Sequence, residues 1–181
     1  MAEGLKVARW NELTAGDLFL FQSSELKAVG MICELGVSRR WLCLGPQFPK
    51  QANGPVLREH GLDAPVVSFG KNYNIKLPVK SEDWYEAKAV AEFPENFHWL
   101  LVVGCKTYLR ARLRLPQTHH PAAFTAWFVD VKTGGVEIND QEQPSMPSGP
   151  AAWAANWEIV TTEPAPRTIL KYPPPAEELT S

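Results

Sequence analysis

The sequence predicts a strand-rich α+β domain built on an antiparallel sheet, and three observations carry that prediction. Residues Lys106 to Leu115 alternate almost without error, with Thr107, Leu109, Ala111, Leu113 and Leu115 on one side. Lys106, Tyr108, Arg110, Arg112 and Arg114 take the other side. Phe124 to Val131 reads as a further strand, and Lys132-Thr133-Gly134-Gly135 before Val136-Glu137-Ile138 has the glycines that a hairpin turn requires. Third, sixteen prolines punctuate the chain and leave little room for long helices, because proline lacks the backbone donor that regular ladders use.

Taken in order, the chain opens with a small β unit over residues 10–44. Thr14-Ala15-Gly16-Asp17 supplies turn chemistry before the short apolar run Leu18 to Phe21. Leu26 to Cys33 is a second run whose two faces are both largely apolar, which predicts a strand covered on both sides. Arg39 to Leu44 is a third strand. Three short strands so close together predict a meander or a piece of a partly closed small barrel. Gly45 to Pro65 has no periodicity and reads as a long loop, a surface connection with the length of a binding loop or lid.

Val66 to Phe69 and Asn72 to Leu77 read as short strands. Over residues 81–93 helix and strand compete. Ser81 has the character of an N-cap, and acids fill the first turn, so a short helix ended by Pro94 is predicted. His98 to Val103 is an apolar run of a central strand, separated by Gly104-Cys105 from the alternating strand. Ala151 to Trp157 predicts two helical turns with Trp153 above Trp157, running into a strand at Glu158 to Thr162. Prolines at 164, 166 and 173–175 predict an extended tail from 164 to 181. The domain reading is one globular unit over 1–163, with sub-units 10–44 and 65–163, followed by that tail.

Composition narrows the function. A chain of 181 residues with 45% hydrophobic and 21% charged residues can bury a core without staples. A net charge of −2 gives no global attraction toward nucleic acid or anionic membrane. The three cysteines, Cys33, Cys43 and Cys105, are odd in number and sit in apolar surroundings, as in a reduced cytoplasmic protein. The N-terminal residues carry no apolar leader pattern, and the longest apolar run is half a membrane span.

The arginine row of the alternating strand is the leading candidate site. Its cations recur about every 6.6 Å, from a rise of about 3.3 Å per residue, which suits a polyanionic partner. The competing reading is an ordinary solvated sheet face whose cations pair with acids across strands. Tyr108 in the row, and Trp153 and Trp157 beside the proline-rich tail, extend the candidate binding set as anchors. His119 and His120 follow a strand end, where acid/base residues often lie. Cys105 stands at a tight turn as a candidate nucleophile. No metal-ligand spacing, nucleophile elbow or phosphate loop occurs, so no cofactor or metal is expected.

The reading that follows is a non-enzymatic cytoplasmic interaction domain, of the neutralising or adaptor kind. It would bind another protein through the sheet face and the long loop. The rival is a small-molecule or phosphate-ester enzyme, with Arg110 or Arg112 holding an anion and His119 or His120 as acid/base. Nucleic-acid binding through the row is a further, disfavoured alternative. The row reading also expects Arg110→Glu with Arg112→Glu to spare stability while abolishing partner capture.

Overall fold

The computed structural model describes residues 6–24, 27–46, 55–58, 61–87, 100–113, 126–141 and 143–173. Four of these, at 46, 87, 112 and 113, are described by their backbone alone. Fourteen strands form among them: β1 (Lys6–Ala8), β2 (Leu18–Gln22), β3 (Lys27–Leu35), β4 (Ser38–Pro46), β5 (Val56–Arg58), β6 (Val66–Gly70) and β7 (Tyr73–Lys76). The second half supplies β8 (Trp84–Ala87), β9 (Leu100–Val103), β10 (Lys106–Leu113), β11 (Ala126–Asp130), β12 (Ala151–Ala154), β13 (Trp157–Thr161) and β14 (Thr168–Tyr172).

The long sheet runs β1-β6-β2-β3-β4-β5-β10-β9-β12-β8, with β11 on the other edge of β10. Its ladders are antiparallel except for one parallel seam, where Val56 and Leu57 of β5 meet Arg112 and Leu113 of β10. The sheet is open. Single bridges from Val136 to Val129 and from Gly135 to Glu34 bring the chain after β11 back against the end of β3. A second, three-stranded antiparallel sheet has the order β14-β13-β7.

The meander β2-β3-β4 forms as its sequence predicts. β3 is buried from Ala28 through Cys33, as its doubly apolar pattern requires. Gly30 has a packing reason to lack a side chain: a Cβ there would fall under 3 Å from the Phe19 ring. Phe19 in turn lies tilted against Trp41, ring centroids 5.7 Å apart.

The predicted helices do not form among the described residues. Among the described residues, helical structure is two three-residue 3-10 turns, Trp10–Glu12 and Ser81–Asp83. After the second turn the chain enters β8, where Trp84 to Ala87 pair with β12. Ladder pairing there overrides the helix propensity of Glu and Ala. Residues 88–93 of that predicted helix lie outside the described residues. Ala151 to Trp157 is likewise two strands broken at Ala155 and Asn156, with Trp153 in β12 and Trp157 in β13.

Two further expectations change. Within the predicted loop 45–65, β4 runs to Pro46 and β5 pairs with both β4 and β10; residues 47–54 and 59–60 lie outside the described residues. The extended tail does not begin at 164. β14 completes the small sheet, and Leu170 and Tyr172 are buried in the core; residues 174–181 lie outside the described residues.

The central core lies between the two sheets. Leu18, Met31, Leu42 and Leu57 enter it from the first half of the long sheet, and Leu109 and Val129 from the second. Ile159, Leu170, Trp157 and Tyr172 enter from the small sheet, the last two stacked at 4.4 Å between ring centroids. An outer cluster on the opposite face of the long sheet contains Phe19, Ile32, Trp41, Cys43 and Val56. A third cluster, Leu101, Tyr108, Phe128 and Trp153, lies on the same long sheet around β10.

Tyr73 ties these layers together. From β7 its buried hydroxyl lies 2.9 Å from the Gly16 carbonyl and 2.8 Å from the Val131 carbonyl, both acceptors. Burial pushes its pKa up, so the hydroxyl stays a donor. The turn at Gly16 and the turn at Gly134 meet beside it, with Gly16 N donating to Ile32 O and Glu34 N to Gly134 O.

Candidate binding face

The alternating strand keeps its two faces, but neither is a solvated row. A single cross-strand line runs Tyr85–Trp153–Leu101–Tyr108–Asp130 over β8, β12, β9, β10 and β11. Tyr108 is 3% exposed and Trp153 fully buried within it. Arg110 on the same face of β10, opposite Phe128, is 5% exposed. Among the described side chains of this row, Lys106 at the strand's start is the one open to solvent. The expected solvent-facing cation row is therefore absent at Tyr108 and Arg110, because β10 is a central strand covered on both sides.

The polar groups of this face are committed to one another. Tyr108 donates its hydroxyl to Glu137 Oε1 at 2.6 Å, and Lys106 Nζ donates to the same oxygen at 3.3 Å. Burial and then the Glu137 hydrogen bond push the Tyr108 pKa up to about 12. Tyr108 is thus held protonated near neutral pH, which unsuits it as a base. The hydrogen bond that Lys106 gives to the Tyr108 oxygen, and then Glu137, hold Lys106 in its charged form, raising its pKa.

The remaining sequence candidates are dispersed. Trp157 is buried and stacked on Tyr172 of the predicted tail, and Trp153 is buried in β12, so neither is exposed to a partner. Cys105 is exposed in the turn between β9 and β10. Arg112 is placed by its backbone, paired with Val56 and Ala126. Arg114, His119 and His120 lie outside the described residues. Cys33 and Cys43 are buried, and burial pushes the Cys43 thiol up to about 11 and Cys33 further still, so neither is a thiolate. Among the described residues no three His, Cys, Asp or Glu side chains gather as a metal set.

Cations do gather elsewhere. The adjacent strands β4, β5 and β10 carry two, one and three basic residues (Arg39 and Arg40; Arg58; Lys106, Arg110 and Arg112) and no acid. Six cations on three neighbouring strands stand out in a chain of net charge −2. One of the six, Lys106, is paired with Glu137 at 3.3 Å, and the small sheet is neutralised more fully. There Glu158 sits in register between Lys76 and Lys171, with N–O separations of 3.8 and 3.6 Å.

With Lys106 paired to Glu137, Arg39 and Arg58 are the other members of this group on the outer face with described, accessible side chains. Arg58 lies directly across from Trp41, and Arg39 is two residues along β4 on the same face. Two residues of rise and one strand spacing put their Cα atoms about 8 Å apart. Arg39 is exposed and its Nη1 lies 3.4 Å from the Trp10 carbonyl, while Glu34 stands opposite it across β3. Arg58 is half-buried, with its Nε sealed from solvent and unbonded among the described residues. Half-buried Trp10, Phe21 and Leu62 pack on the cluster that contains Trp41.

Sequence reasoning missed this pair. Arg39 opens a strand and Arg58 ends one inside an aperiodic stretch, so neither shows a period. Acid-free Arg-Arg-Trp followed by Val-Leu-Arg was the available signal, and only strand order makes them neighbours.

Fold and face together define a two-sheet, predominantly antiparallel β protein with a basic seam across its long sheet. Among the described residues no helix is long and apolar enough to cross a membrane. Compared with family models, with curated proteins and with solved structures, the chain matches none.

Proposed function

We propose that this chain is a non-enzymatic interaction domain, of the adaptor or neutralising kind, which captures an acidic partner protein on the outer face of its long sheet. The observation that carries the reading is the charge segregation: six basic residues and no acidic one on β4, β5 and β10. A guanidinium remains charged even when buried, so Arg110 adds to the field at the seam although it touches no ligand. The partner contacts fall to Arg39 and Arg58, flanked by Trp10 and Phe21, since aromatic and arginine side chains are favoured interface anchors. The reading places the protein in the cytoplasm, where its cysteines stay reduced.

The test is affinity capture of the tagged full chain from a lysate of its source, comparing wild type with Arg39→Glu/Arg58→Glu. The reading expects a salt-sensitive protein partner that the double variant loses while its thermal midpoint is unchanged. Equal capture by both proteins would remove the seam from the account. Recovery of nucleic acid in place of protein, with a steep salt dependence, would replace the partner class.

A further inference from the structure

Resting on that reading, we infer that Arg58 is a preformed carboxylate fork and that the seam takes an acidic peptide segment of its partner, with side-chain carboxylates and not backbone phosphates as the ligand groups. Three features of Arg58 combine. Its Nε is sealed from solvent with no hydrogen-bond partner among the described residues, while the side chain as a whole is only half-buried. A guanidinium with its Nε side turned into the protein presents its two outer N–H groups as an end-on fork, the geometry that matches the two oxygens of a carboxylate. Its cross-strand neighbour is Trp41, 3% exposed, so one wall beside the fork is an immobile buried aromatic. Burial of the Nε side restricts the head group before the ligand arrives, which lowers the ordering cost of binding.

The peptide assignment follows from what surrounds the fork. Arg39, about 8 Å away by strand geometry, offers a second cation at a spacing that residues of an extended chain can span. Its partner across the ladder, Glu34, is exposed and repels a uniformly charged polyanion at that end. Trp10, Phe21 and Leu62 supply half-buried apolar surface on the same cluster, suited to the aliphatic and aromatic side chains between acids. A net charge of −2 opposes the many-phosphate ligand that a nucleic acid would be.

The probe is a fluorescein-labelled octaglutamate peptide, titrated into the full chain by anisotropy at low salt, beside a labelled oligothymidylate of equal charge. The peptide is expected to bind more tightly than the oligothymidylate. Arg58→Lys, which keeps the charge and loses the fork, is expected to weaken the peptide about tenfold, and Arg39→Gln about threefold. In wild-type protein the Arg58 guanidinium N–H resonances are expected to shift on saturation. That measurement stands even where a variant fails to fold. An unshifted Arg58 resonance at saturation, tighter oligothymidylate binding, no peptide binding, or wild-type affinity in a folded Arg58→Lys each overturns the inference. Loss of a captured protein in Arg39→Glu/Arg58→Glu together with wild-type capture by Arg58→Lys would break the fork and leave the binding face standing.

Discussion

Replacing Gly134 by alanine tests the junction that holds the two sheets in place. Gly134 has φ +74°, and a Cβ there would fall well inside contact distance of the Ile32 carbonyl oxygen and the Gly16 nitrogen. Both are backbone atoms, Ile32 in the β3 ladder and Gly16 in a turn whose N donates to the Ile32 carbonyl, so no side chain can swing aside. The left-handed conformation costs a non-glycine residue about 1–2 kcal/mol. Overpacking against fixed atoms adds about 1–3 kcal/mol. Shifting the turn also endangers the bonds Gly134 N to Asp130 O and Glu34 N to Gly134 O, each about 1 kcal/mol. The first two contributions sum to about 2–5 kcal/mol, and loss of both bonds as well raises the total to about 7 kcal/mol at most.

Gly104 provides the matched control. Its φ is +59°, yet a Cβ there meets nothing within 4 Å. Gly104→Ala therefore carries the conformational cost alone, about 1–2 kcal/mol. Urea unfolding of both variants, with unchanged slopes, reads the difference directly. Equal destabilisation of the two would mean that the turns at Gly16 and Gly134 are not in close contact, and would refute the way the sheets are joined here.

Two further outcomes follow from the buried polar groups. Tyr108 has a folded pKa of about 12, and Tyr73 and Tyr172 are also raised by burial, against about 10 for an unfolded tyrosine. A raised folded pKa contributes stability fully present below pH 10 and lost as pH climbs through 12, so alkaline denaturation is expected in that window and Tyr108→Phe should flatten it. A wild-type stability curve level from pH 9 to 12 would contradict this. Arg110→Glu is expected to cost about 3 kcal/mol or more, because it reverses a buried charge, whereas Arg39→Glu at an exposed site should stay within about 0.5 kcal/mol. Chemical denaturation of the two single variants decides it, and an Arg110→Glu protein as stable as wild type would show that residue to be solvated.

The Arg110 case also shows where legibility in the sequence ends. Alternation correctly marks β10 as a strand and separates Leu109 and Ala111 from Tyr108 and Arg110. It does not say whether the second face meets water or protein, since a long polar side chain packs its stem against neighbours as readily as it solvates its head. The same limit governs Trp153 and Trp157. Their spacing fits one helical face, and only the pairing of β12 with β8 and β9, set by residues far away in the chain, makes them core strands. By contrast the β2-β3-β4 meander and the turn at 132–135 were readable because both signals are local: apolar runs of strand length bounded by Gly, Asp and Ser. Arg58 was not readable as a site at all. Its meaning depends on Trp41 opposite it and on the parallel seam with β10, two relations that no local pattern encodes.

The most direct test of the binding face is amide chemical-shift mapping of the 20.2 kDa chain on addition of the captured partner. The account predicts that the largest shifts fall at residues 39–43 and 56–58, with the small sheet at 74–76 and 158–171 little changed. Shifts concentrated on the small sheet, with 39–43 and 56–58 unmoved, would contradict it.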